Sequence, residues 1–208
     1  MRNVIFIASI ILTLAGPILA KGRFQIQPVT NGNWYIESIH APDNIKPEPG
    51  AKRVVIAVVD DAIRTTHHDI KDFIWQNPKE VPANNIDDDG NGYVDDVQGW
   101  DVSDNDSAIG PPQNRLKEFY HGTHLAGIVA RIARSAYGDS ASGRIKIMPV
   151  KALADSAPKT YIKDGYNGID YAVKAGADLI LCAWSVPHIS PDESRILEQA
   201  RDKGVLLV

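Results

Sequence analysis

Val54-Val55-Ile56-Ala57-Val58-Val59, closed by Asp60, is a continuous apolar run rich in β-branched residues. Such a run fits a strand buried on both faces, as in a parallel sheet, and not a half-exposed strand of alternating character. Ile145-Lys146-Ile147-Met148-Pro149-Val150 reads as a second strand, residues 178–184 as a third and residues 205–208 as the start of a fourth. Helical spacing separates them. Leu125, Ile128, Val129 and Ile132 lie within residues 122–136, and Ile162, Tyr166, Ile169 and Val173 within residues 161–175. Gly176 ends the latter as a C-cap. Ser190-Pro191-Asp192-Glu193 carries an N-cap, a proline at the first helical position and the glutamate of a capping box, and Gly204 stops the helix it opens. Strand and helix in alternation predict an α/β fold with a doubly wound parallel sheet, incomplete at the carboxyl end because Val208 falls within a strand.

The remainder of the chain frames this core. It has 208 residues, 44% hydrophobic and 23% charged, enough for one domain with a sizeable core and unlike a disordered chain. A net charge of −4 gives no support to nucleic-acid binding. One cysteine rules out a disulfide framework and a cysteine-rich zinc site. Residues 1–20 place one arginine before an apolar run and end on Ala20, the layout of a secretory signal peptide. This predicts an exported protein, secreted or in the cell envelope, with no membrane association after cleavage. Residues 21–52, polar and proline-containing, read as an amino-terminal arm, and residues 53–208 as the first part of the main domain.

Two motifs carry chemistry. Ile56-Ala57-Val58-Val59-Asp60-Asp61-Ala62-Ile63 puts a carboxylate at the carboxyl end of a buried strand, and His67-His68-Asp69-Ile70 follows as loop structure. His121-Gly122-Thr123-His124-Leu125-Ala126-Gly127 puts a histidine at a helix start, with His124 expected to pack under that helix. A buried aspartate that orients a histidine is two-thirds of a nucleophile-activating triad. A zinc protease would need histidines at i and i+4 around a glutamate, which this spacing lacks.

These motifs resemble those of the subtilisin-like serine proteases, the subtilases, whose Asp motif has the form V-A-V-I-D-T-G-I and whose His motif is H-G-T-H-V-A-G. The resemblance covers residues 34–208 and implies a serine endopeptidase acting on polypeptide substrates, with Asp60 and His121 as catalytic residues. It also implies that the nucleophile, in G-T-S-M-A, and the oxyanion asparagine, in A-A-G-N, lie beyond Val208, so residues 1–208 alone are expected to be inactive. Asp61 stands where most members have Thr or Ser, although kexin-type members have Asp-Asp-Gly. Ala183-Trp184-Ser185 replaces the usual S-W-G or S-L-G, and residues 154–159 replace a glycine-rich edge that pairs with substrate. Those departures leave an alternative open: a non-catalytic exported pseudoprotease, or a calcium-binding or peptide-binding domain.

Between the two motifs the charge is concentrated. Residues 60–106 hold thirteen acidic and three basic residues, a local net of −10, which points to a bound cation. Counted from Asp87, oxygen-bearing side chains fall at positions 1, 3 and 5 and Gly92 at position 6, the spacing of a calcium loop. Gln98 at position 12 departs from an EF-hand. Many subtilases carry a similar insertion before G-W-D, matched here by Gly99-Trp100-Asp101. Calcium is therefore the expected cofactor, with Asp87, Asp89, Asn91 and Asp96 as ligands.

Overall fold

The computed structural model describes residues 34–43, 45–48, 50–158 and 161–208. The expected signal peptide and residues 21–33 of the arm lie outside the described residues. The chain divides into two units, residues 1–39 and 40–208. In the first, a short helix α1 spans Trp34–Ser38. No helix among the described residues is long and apolar enough to cross a membrane.

The second unit is built on a five-stranded sheet. Its strands are β1 (Val54–Asp60), β2 (Trp100–Asp101), β3 (Ile145–Lys151), β4 (Leu179–Leu181) and β5 (Leu206–Leu207). Their order is β2-β3-β1-β4-β5, and every pairing is parallel. The helices are α2 (His121–Tyr137), α3 (Ala141–Arg144), α4 (Gly165–Lys174) and α5 (Pro191–Asp202). The α/β fold with a parallel sheet expected from the sequence is what forms.

Alternation along β1 divides the core in two. Val58 packs with Ile147 and with Ala126 and Ala130 of α2. Ala57 and Val59 pack with Met148, Val150, and Ile169 and Ala172 of α4, and Ala200 of α5 joins them. Helices therefore cover both faces, as the unbroken apolar run requires. Because β3 and β4 flank β1 on opposite sides, the carboxyl end of β1 lies where parallel α/β sheets open their ligand crevice. Asp60 is the last residue of β1.

Several local expectations are corrected. The buried face of α2 is Gly122, Ala126, Ala130, Ala133 and Ala136, not the row of larger residues. Small side chains let the helix lie close to the sheet, and Leu125 and Val129 pack at its margin. His124 is exposed and not packed under the helix. Helix α4 begins at Gly165 and not at residue 161. Ile162 still packs against the core from the preceding loop, which explains its place in the apolar spacing. Gly138–Ser140 form a 3-10 turn that leads directly into α3. The capping box of α5 forms as the sequence predicts: Ser190 Oγ accepts from Glu193 N, and the Glu193 carboxylate accepts from Ser190 N.

Candidate active site

Asp60 leaves the sheet with its side chain enclosed, 2% exposed. Its backbone carbonyl accepts from Ala152 N at 2.8 Å, which continues the β1–β3 ladder to the strand end. Helix α2 begins directly opposite. His121 Nδ1 lies 3.0 Å from both Asp60 carboxylate oxygens. The His121 side chain is 45% exposed, and among the described residues its ring bonds only Asp60. A proton on Nδ1 directed at the carboxylate would leave Nε2 with a free lone pair. That is the arrangement of a general base oriented and charged by a buried acid.

The surrounding backbone fits the pair tightly. Asp61 N donates to Asp60 Oδ1 at 2.7 Å. A Cβ on Gly122 would come within 2.6 Å of the Ala62 carbonyl and 3.0 Å of Asp60 Cβ, so only glycine permits this approach. Burial pushes the Asp60 carboxyl above its ordinary value; the Asp61 amide and the His121 ring pull it back. Trp184 braces the other side, its Nε1 donating to the Val59 carbonyl at 2.9 Å. Near Asp60, burial pushes the Cys182 thiol up to about 12, which favours its protonated form at neutral pH.

The acidic loop is organised around Glu80, which the calcium-loop count missed. Glu80 is buried, accepting from Asp88 N at 2.9 Å through Oε1 and from Asp95 N at 3.1 Å through Oε2. Glu80, Asp87 and Asp89 have carboxylate oxygens within 4.8 Å of one another, so the donor set suits a hard cation. Asp87 accepts from Asn91 N at 3.1 Å and Gly92 N at 2.7 Å. Asp96 stands behind this group, fully buried, accepting from Asn77 at 2.8 Å, Asn91 at 3.1 Å and the Tyr171 hydroxyl at 2.8 Å. Of the four residues singled out in the sequence, Asp87 and Asp89 converge with Glu80, whereas Asn91 and Asp96 are bonded to each other. Burial raises the carboxyls of both Glu80 and Asp96. Glu80 carried no sequence signal, because it lies upstream of the loop template.

A second acidic cluster was not legible in the sequence. Asp101, Asp104 and Asp155 also bring carboxylate oxygens within 4.8 Å of one another. Here a lysine occupies the middle. Lys151, 1% exposed, donates to Asp101 at 2.6 Å, contacts Asp155 and lies 3.7 Å from Asp104. Burial opposes its charge, but the Asp101 and Asp155 carboxylates outweigh it and hold the ammonium above its ordinary value. Lys151 pairs in register with Asp60, so this cluster borders the Asp60–His121 pair. Residues 154–158 beside it form a turn in which Ala157 N donates to the Ala154 carbonyl at 3.0 Å. Arg115 holds that turn by donating to the Ala157 carbonyl at 2.8 Å and to the Asp155 carbonyl.

A strand-end aspartate paired with the first histidine of a helix, on a parallel α/β sheet, defines a candidate hydrolase centre of the Asp–His type. The sequence model of the subtilase family matches residues 51–208, and the chain belongs to that family of serine proteases. Subtilisin-like protease 1 of Plasmodium vivax is 32% identical over 93% of this chain and 30% of its own length. Thermitase of Thermoactinomyces vulgaris is 31% identical over 69% of this chain and 41% of its own length. A lanthipeptide protease of known crystal structure aligns over 72% of this chain and 34% of its own at 18% identity and a TM-score of 0.41. The chain thus spans less than half the length of these relatives.

Proposed function

We propose that this chain supplies the aspartate and histidine of an exported subtilisin-like endopeptidase, whose serine and oxyanion asparagine come from sequence outside these 208 residues. The observation that carries the reading is the 3.0 Å contact between His121 Nδ1 and both oxygens of a buried Asp60, with the far side of the ring open. In it, His121 Nε2 takes the serine hydroxyl proton as the oxygen attacks the peptide carbonyl. The same proton then passes to the leaving amine, and a second round with water releases the acyl group. Asp60 keeps the ring in the Nδ1–H tautomer and stabilises the imidazolium. Residues 1–208 alone are expected to show no peptide hydrolysis.

Calcium fits as the structural cofactor. Asp87, Asp89, Asn91 and Asp96 are its proposed ligands from the sequence, and Glu80 joins them because its carboxylate converges with the first two. When bound, the ion neutralises like charges and stiffens the loop. The substrates on this reading are polypeptides. A second reading, a non-catalytic exported domain, draws on the turn at residues 154–158, which is folded back and held by Arg115 where an extended edge would receive a peptide.

The test is a chimera in which residues 51–208 replace the matching stretch of thermitase, with folding checked by circular dichroism. Hydrolysis of a peptide anilide, lost by about a thousandfold or more on His121→Ala, is expected. A folded chimera without turnover, or one indifferent to His121→Ala, supports the non-catalytic reading instead.

A further inference from the structure

The residue after the catalytic aspartate departs from the family's usual Thr or Ser, and its carboxylate is fully used. Asp61 is buried, 6% exposed. Its Oδ2 accepts from His121 N at 3.0 Å, and its Oδ1 accepts from Gly122 N at 2.8 Å and Ala62 N at 2.6 Å. Tyr120, which precedes α2, makes no side-chain cap, so the first amides of that helix are capped by a residue sixty positions away. The positive end of a seventeen-residue helix favours an anion at this place.

We propose that Asp61 is a positioning residue: one side chain cross-links the carboxyl end of β1 to the first turn of α2 and so sets where the His121 ring stands against Asp60. The proposal rests on reading Asp60 and His121 as the pair that moves the proton. Its amide holds Asp60 Oδ1 while its carboxylate holds the His121 amide, so both members of the pair are bonded to Asp61. A hydroxyl at this position offers one oxygen. The carboxylate offers two, which lets a single residue take His121 N and Gly122 N together. The cost is a second negative charge beside Asp60, which the helix amides offset. Gly122 completes the fit, because a Cβ there would approach Asp61 Oδ1 to 3.2 Å.

The test reads the Asp60–His121 hydrogen bond itself, not turnover, so this proposal and the proposed activity can fail separately. In the full chain the proton on His121 Nδ1 is followed by NMR as a downfield signal, together with its rate of exchange with solvent. Asp61→Ala is expected to lose the signal or to speed its exchange by about tenfold or more. Asp61→Ser, which restores one acceptor, is expected to recover part of the protection. Ser190→Ala, which breaks the cap of α5 instead, serves as a control for lost stability and is expected to leave the signal unchanged. Wild-type exchange in Asp61→Ala would overturn the proposal, as would equal loss of the signal in Ser190→Ala. If Asp61→Ala does not fold, Asp61→Leu, which is close in size and has no acceptor, replaces it with the same two outcomes. Absence of the signal from the wild-type chain would overturn the pair and this proposal with it.

Discussion

Two clusters of three carboxylates balance their charge in opposite ways. Asp101, Asp104 and Asp155 close around the buried ammonium of Lys151. Glu80, Asp87 and Asp89 converge as closely, but the nearest lysine, Lys79, stays 3.9 Å from Asp89 and is 70% exposed. The Glu80 cluster leans on backbone amides of its own loop. Geometry alone would assign a cation to both. The side chains already present leave that need only in the loop, where the calcium expectation was drawn from sequence.

The comparison can be broken from either side, and the largest effect is expected at Lys151. Lys151→Met leaves Asp101 buried and unpaired, and should cost about 3–5 kcal/mol in chemical unfolding. A loss near zero would mean that the Asp101–Asp104–Asp155 cluster does not depend on its internal cation. Next in size is calcium itself. At about a hundredfold excess over its dissociation constant it should stabilise the fold by about 2.7 kcal/mol, and Asp87→Asn with Asp89→Asn should abolish that gain. Equal stabilisation of wild type and double variant would remove the site from the loop.

Acidity separates the clusters further. Burial raises Glu80 and Asp96, so the folded chain binds protons there that the unfolded chain has released. Without metal, ionising them costs stability as pH rises through their raised values. Calcium needs the ionised forms. Its stabilisation should therefore be complete above those values and disappear on acidification through them, at higher pH than ordinary carboxylates would require. The Lys151 contribution has the other sign: it is present below the ordinary lysine range and lost only as pH rises through its raised value. Melting curves with and without calcium across pH check both. The smallest effect belongs to Asp104→Asn. A partner 3.7 Å away and 33% exposed should be worth about 0.5–1 kcal/mol.

Legibility in the sequence followed the range of the interactions. The strand at residues 54–60 was readable because both of its faces are buried, and the capping box at Ser190 because its partners are three residues apart. The Asp60–His121 pair was read from two local motifs. Features that depend on residues distant in sequence were not legible. Helix α2 packs through a stripe of glycine and alanines, which carries little hydrophobic signal beside Ile128 and Ile132. Strand β2 has two residues, too few to show a period. Asp61 capping α2 and Lys151 filling the Asp101–Asp104–Asp155 cluster join residues that meet only once the sheet is assembled, and Glu80 closes on amides eight and fifteen positions further on, outside the loop template.

The most direct measurement of the central claim is the tautomer of His121 in the neutral ring, read from its nitrogen shifts by NMR. If Asp60 orients a base, the proton sits on Nδ1 toward the carboxylate and Nε2 carries the free lone pair. An Nε2–H tautomer, or a ring that samples both equally, would contradict the account, because no lone pair would then be held ready to accept a proton from an attacking hydroxyl.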